Sequence, residues 1–224
     1  MQNYTLTRSK RKTIAIYVHD GIVEVSSPLK TPKSEIDKFV KSKEKWIENT
    51  LAKSAESKNQ RENFTLNYSS QILYRGNEFP IVSRLGNHAM FDDDRFCVPA
   101  NLTSEQIKQA CVRIYKLLAE IYIGGRVFEF SNSMDVTVGS VKINSAKTRW
   151  GSCSGRKSLN FSWRLIMADD DVIDYVVVHE LAHITEMNHS ERFWAIVEGI
   201  LPDYRERKLR LKSLQKRLCG EDWG

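Results

Sequence analysis

A chain of 224 residues is long enough to bury a proper core, as one large domain or two small ones. Hydrophobic residues at 41%, charged at 28% and aromatic at 10% are the balance of a soluble globular protein and exclude a disordered or fibrous chain. The formal charge of +6 tolerates anionic partners without demanding one, and no apolar run approaches a membrane span. The four cysteines, Cys97, Cys111, Cys153 and Cys219, are scattered with no C-x-x-C pair. That predicts free thiols in a reducing cytoplasm and argues against a cysteine metal site.

Residues 4–28 read as strands, with Thr13–Val18 and Ile22–Ser26 forming a hairpin around His19-Asp20-Gly21. Ser34 reads as the N-cap of a helix to about Ala52, and the polar stretch Lys53–Glu62 as a loop. Short strands are expected at Phe64–Tyr68, Gln71–Tyr74, Phe79–Arg84, Ala89–Phe91 and Arg95–Val98, with turns at Gly76-Asn77, Gly86-Asn87 and Asp92–Asp94. A helix capped by Thr103 or Ser104 follows, bending or fraying at Gly124-Gly125. Val136, Val138, Val141 and Ile143 alternate, and their change of phase at Gly139-Ser140 predicts a β-bulge. A further strand at Thr148–Ser152 turns through Ser154–Lys157 into an alternating run that includes Leu159, Phe161, Trp163 and Leu165. The division expected is a β-rich region with one helix over 1–100 and a catalytic core over 101–224.

The chemistry concentrates at Val176-Val-Val-His179-Glu180-Leu-Ala-His183. Two histidines four residues apart share one helical face, since a turn takes about 3.6 residues. One zinc ion can take both, at roughly 2.0–2.1 Å each. Glu180 points about 100° away around the helix, so it suits a proton-accepting role toward water better than the same coordination vertex. The surrounding valines and isoleucines make the helix apolar nearly all round, with Asp169, Asp170 and Asp171 at its start. Core histidines satisfied by hydrogen bonds are the plainer alternative, but one metal accounts for all three polar residues together. His189 is the favoured third ligand, carried on a turn after a helix ending near Met187, with Glu186, Glu198 and Asp203 as rivals. Ser190 caps the next helix, and Leu201-Pro202 precedes a last helix from Asp203 to about Leu218. The last helix is rich in Arg and Lys, and with Arg8, Lys10, Arg11 and Lys12 it could form a basic surface for nucleic acid or nucleotide phosphates.

The sequence resembles the YgjP-like family of zinc metallopeptidase-type proteins, themselves similar to SprT- and Wss-type proteases. The resemblance rests on Arg8–Ile14, Thr148-Arg-Trp-Gly-Ser-Cys153, Leu159-Asn-Phe161, Trp163–Ala168, Val176–His183, Asn188-His-Ser190 and Arg192-Phe-Trp194. It implies one zinc ion on His179, His183 and His189, Glu180 as the catalytic carboxylate, and an α+β zincin-like core behind the N-terminal β-rich region. Glu186 stands where metzincins, which share the histidine spacing, have a glycine. Arg149 and Tyr204 are candidates for stabilising a developing oxyanion. The expected function is a zinc-dependent metallopeptidase acting on polypeptides. The alternatives are a phosphohydrolase for nucleoside triphosphates, a nucleic-acid-associated SprT-like protease, or a non-catalytic binding module.

Overall fold

Alternating apolar residues in the first 28 positions build a three-stranded sheet. Its strands are β1 (Thr5–Ser9), β2 (Ala15–His19) and β3 (Ile22–Pro28), in the order β1-β3-β2. The structure is a computed structural model and describes residues 3–19 and 21–224; Asp20 of the expected turn lies outside the described residues. β2 and β3 form the antiparallel hairpin and β1 joins β3 in parallel. Arg8 sits in β1 and its guanidinium donates to the carbonyls of Pro28, Leu29 and Thr31, tying down the chain after β3.

Two helices follow where one was expected: α1 (Lys33–Ser42) and α2 (Glu44–Glu62), with Lys43 between them at φ −108°, ψ 7°. Pro32, not Ser34, is the N-cap of α1. The stretch Lys53–Glu62, read as a loop, is helical to its end. Its Lys, Glu, Gln and Arg residues are strong helix formers, and Lys58 pairs with Glu62 one turn on. Val23, Val25, Ile36, Val40 and Ile47 form the core beneath this sheet.

The chain packs as two compact units. One comprises Met1–Phe64 with Arg217–Asp222 and Gly224, the other Thr65–Lys216 with Trp223. The strands between residues 71 and 99, which the expected division places in the N-terminal region, thus pack in the unit that carries the histidines.

That second unit opens without the strand expected at Phe64–Tyr68. The amide of Leu66 donates to the Ser104 hydroxyl, and the Tyr68 hydroxyl donates to the Pro99 carbonyl, so local side chains take the place of a ladder. Four strands follow: β4 (Gln71–Tyr74), β5 (Asn77–Arg84), β6 (Met90–Asp92) and β7 (Arg95–Pro99), in the order β4-β5-β7-β6. α3 (Ser104–Ser133) starts at a capping box, with Thr103 and Gln106 each bonding the other's backbone amide. It runs unbroken through Gly124-Gly125. Ile123 and Val127 are buried on its inner face, and that packing outweighs about 1 kcal/mol of lost propensity per glycine.

β8 (Ser140–Asn144), β9 (Gly151–Cys153) and β10 (Ser158–Ser162) make a third small sheet in the order β8-β10-β9, leaving β9 at its edge. The expected bulge at Gly139-Ser140 is instead the start of β8, because the Gly139 amide donates to the Lys157 carbonyl. The alternation expected through Leu165 stops at Ser162, whose hydroxyl accepts from the Arg164 amide and donates to the Ala146 carbonyl. A buried 3-10 helix, Trp163–Met167, follows, and the Trp163 ring stacks on Tyr115 of α3 at 5.4 Å.

α4 (Asp170–Ala182) comes next and is held at both sides of its first turns. Arg75, in the β4–β5 turn, grips Asp170 with two bonds of 2.7 and 2.6 Å. Arg126 of α3 grips Asp174 at 2.6 and 2.8 Å. Such bidentate forks set orientation as well as attraction. Gly76, at φ +78°, lets the β4–β5 turn reach this point, since a Cβ there would lie 1.9 Å from Asp169 Oδ1. α5 (Glu191–Ile200) and α6 (Tyr204–Leu218) complete the fold. The result is an α+β protein with small sheets and, among the described residues, six α-helices. No helix among the described residues is long and apolar enough to cross a membrane.

Candidate metal centre

α4 is shorter than the histidine pattern suggests. It ends at Ala182, with His183 as its C-cap, and not near Met187. The amides of Thr185 and Glu186 fold back onto the Ala182 carbonyl. The chain then doubles through Asn188 to Ser190, whose hydroxyl caps α5 by accepting from the Phe193 amide. This early stop brings His189 back over α4.

One ring nitrogen from each of His179, His183 and His189 lies within 4.8 Å of the other two. His179 Nε2 and His189 Nε2 are 3.1 Å apart. Two ligands at 2.0–2.1 Å from a tetrahedral ion stand about 3.3 Å apart, so this spacing fits a zinc-sized cation. The rival carboxylates are not in the cluster: Glu198 pairs with Arg205 and Asp203 with Arg207. Glu186 contributes its backbone carbonyl, 3.0 Å from His183 Nδ1. With Nδ1 donating there, the Nε2 lone pair of His183 is directed elsewhere, the usual outer partner of a metal-binding imidazole. The Nδ1 of His179 is buried without a partner.

Beneath the three rings lies Phe193, fully buried in α5, at centroid distances of 4.5 Å from His183, 4.8 Å from His189 and 4.9 Å from His179. This platform keeps water from one side of the cluster. Burial, reinforced by the other two histidines and Lys208, pushes the His179 imidazole down to about 3, so it is neutral at any physiological pH. Neutral imidazole is the form that binds metals. Burial and the charges of His183 and Lys208 also lower His189.

Glu180 is 6% exposed. Desolvation pushes its carboxyl up to about 7, against the opposing charge of Arg149. Its side chain lies against the first residue of β9: a Cβ on Gly151 would meet Glu180 Cγ and Oε1 at 2.6 Å. Arg149 is exposed, two residues before that contact. Tyr204 is buried in a row of parallel rings, 6.5 Å from Tyr175 and 5.2 Å from Trp194. Trp194 in turn stacks on His189 at 5.7 Å. Tyr204 thus stands one ring removed from the histidines.

A family model described as the YgjP-like metallopeptidase domain matches residues 12–214. The chain belongs to that family. This YgjP-like chain is also similar, more faintly, to the metallopeptidase zymogen abylysin of Pyrococcus abyssi, at 20% identity and TM-score 0.38 over 41% of this chain and 92% of the other. Jannalysin of Methanocaldococcus jannaschii, another metallopeptidase zymogen, gives 22% identity and TM-score 0.37 over 41% and 94%. No curated protein matches.

Phe193, Gly151 and Trp194 are the neighbours of the site that spacing alone does not single out. Their consequence for the YgjP-like centre is testable. Phe193→Ala opens a cavity under all three imidazoles and, where these hold the metal the family implies, is expected to weaken zinc binding about 10–100-fold, as loss of an outer-shell partner does elsewhere. Competition titration with a zinc-chelating dye measures it, and unchanged affinity would show that the rings hold their geometry without the platform.

Proposed function

We propose that this chain is a zinc-dependent peptidase in which His179, His183 and His189 hold one zinc ion and Glu180 is the general base. The observation that carries the reading is the convergence of three imidazoles, His179 among them held neutral by burial, beside a carboxyl of the same helix whose affinity for protons is pushed up to about 7. A proton acceptor works best when its pKa lies near the operating pH. Zinc bound there would supply Lewis acidity toward a carbonyl oxygen and toward water. Glu180 takes a proton from the attacking water and returns it to the leaving amine. Arg149, exposed and close enough for its charge to act on Glu180, and Tyr204 remain the candidates for stabilising the oxyanion.

The unpaired edge of β9 runs past Glu180 and offers backbone groups to an extended substrate, as strand-addition sites do. The family match supports a polypeptide substrate and lends nothing to nucleotides or nucleic acid. The basic last helix supports them no better. Arg205, Arg207 and Arg210 are engaged by Glu198, Asp203, Asp169 and Asp171.

The test is incubation of zinc-loaded protein with a mixed pool of unfolded polypeptides and nucleoside triphosphates, with products identified by mass spectrometry before and after chelation. Peptide cleavage that chelation removes and zinc restores is the expected result. Release of phosphate from a nucleotide with the peptides intact would overturn it.

A further inference from the structure

Beside the histidines the same unit carries a cleft of 720 Å³ whose lining includes Trp150, Tyr175, Trp194, Tyr204, Lys208 and Lys212. It adjoins the metal centre directly: the rings of Tyr175 and Trp194 each lie 5.9 Å from His179. Its charge is one-sided. The lining holds three cations, Arg205 among them, and no carboxylate. Arg205 is held by Glu198 at 2.9 Å. Lys208 and Lys212, one turn apart on α6, have no ion pair among the described residues, although α6 and its neighbours are rich in acids that pair the nearby arginines. The Lys208 ammonium is instead parked over the Trp194 ring, 4.8 Å from its centroid.

We propose that this cleft is a specificity pocket that takes an acidic side chain of the polypeptide substrate. The inference rests on the peptidase reading above. A glutamate or aspartate would lay its methylene stem on the aromatic wall and its carboxylate between the two lysines. An extended peptide rises about 3.3 Å per residue, so a side chain two or three residues from the bond at the histidines reaches Lys208. A polyanion fits less well, because the arginines that would extend a basic track along α6 are occupied by Asp169, Asp171 and Asp203.

The experiment uses peptides blocked at both ends that differ only in Glu, Gln or Lys at one position, scanned along the peptide, so that no terminal carboxylate competes. Cleavage by the zinc-loaded protein is read by mass spectrometry. Binding to zinc-loaded Glu180→Gln protein is read separately by fluorescence anisotropy at two salt concentrations. At one fixed position Glu should be favoured over Lys by about tenfold or more in both readouts, with the binding preference shrinking in high salt. Combined Lys208→Glu and Lys212→Glu should invert the preference toward Lys, while Lys208→Arg keeps it. Circular dichroism checks the folding of the reversed protein, and Lys208→Gln with Lys212→Gln, expected to abolish the preference, serves if it fails. Equal handling of Glu and Lys peptides, or a preference that survives charge reversal, overturns the pocket. Cleavage with no acid preference would sink the pocket and leave the peptidase standing. Acid-selective binding with no cleavage of any peptide would do the reverse.

Discussion

With Glu180 as the proposed general base, Glu180→Gln should abolish peptide hydrolysis and, in the same molecule, stabilise the zinc-free protein at alkaline pH. Loss of a general base costs about 10²–10⁴-fold in rate, and glutamine keeps the volume while removing the proton acceptor. The stability effect follows from burial. The carboxyl is pushed up to about 7 in the folded chain, from an ordinary value of 4.5. Between those values the unfolded chain gives up its proton and the folded chain keeps it, so folding stability falls as pH rises through that window. The full effect amounts to at most about 3 kcal/mol above pH 7. Glutamine has no proton to lose, so the variant escapes it. His179 acts with the opposite sign. Its folded value is depressed to about 3 from 6.5, so the stability it contributes is present above pH 6.5 and is lost as pH falls toward 3. Thermal melts of EDTA-stripped protein at pH 5 and pH 8 separate the two. The variant's advantage over the parent should be small at pH 5 and several degrees at pH 8. An advantage equal at both would mean that Glu180 is not held in a desolvated place.

The part of the site legible in the sequence is the part made within a few residues. His179 and His183 are four apart, so helix periodicity alone puts them on one face. His189 and Ser190 carry their own turn and cap signals, although the helix before them stops at Ala182 and not near Met187. That difference is set by amides folding back on one carbonyl, for which no glycine or proline gives notice. The platform and the cleft were not legible. Phe193 reads as one more apolar residue of an amphipathic helix, and Trp150 and Lys208, 58 positions apart, come to line one cleft through tertiary packing that has no period. In the fold the misses lie where composition misleads. Lys53–Glu62 is polar, and polarity suggests a loop, yet the same residues are among the best helix formers. Trp163 and Leu165 keep strand alternation on paper, while the Ser162 hydroxyl turns the backbone into a 3-10 helix that buries both.

With Glu180 as the proposed base and the three histidines as the proposed zinc ligands, Gly151→Ala should silence the enzyme while leaving zinc in place. Glycine at the start of β9 is not there for a turn. It is there because Glu180 occupies the space a side chain would fill, with Cγ, Oε1 and Cδ all within 2.8 Å of the missing Cβ. Real Cβ contacts do not come so close, and Cγ is too near the helix to swing clear. Either the carboxylate leaves its position or β9 gives way. β9 is an edge strand, paired with β10 through Gly151, Ser152 and Cys153, and cannot shift without loosening that ladder. The histidines take no part in the clash, since they are set by α4, the turn at Asn188 and the Phe193 platform. A displacement of about 1 Å in a catalytic group can lower the rate 10²-fold, and a loss of that order is expected with zinc stoichiometry and the far-UV spectrum unchanged. A variant that turns over at the parental rate with full zinc would show that Glu180 works from elsewhere, and that the close approach of β9 to α4 is packing alone. Zinc loss together with activity would instead place the strand, and not only the carboxylate, among the supports of the metal.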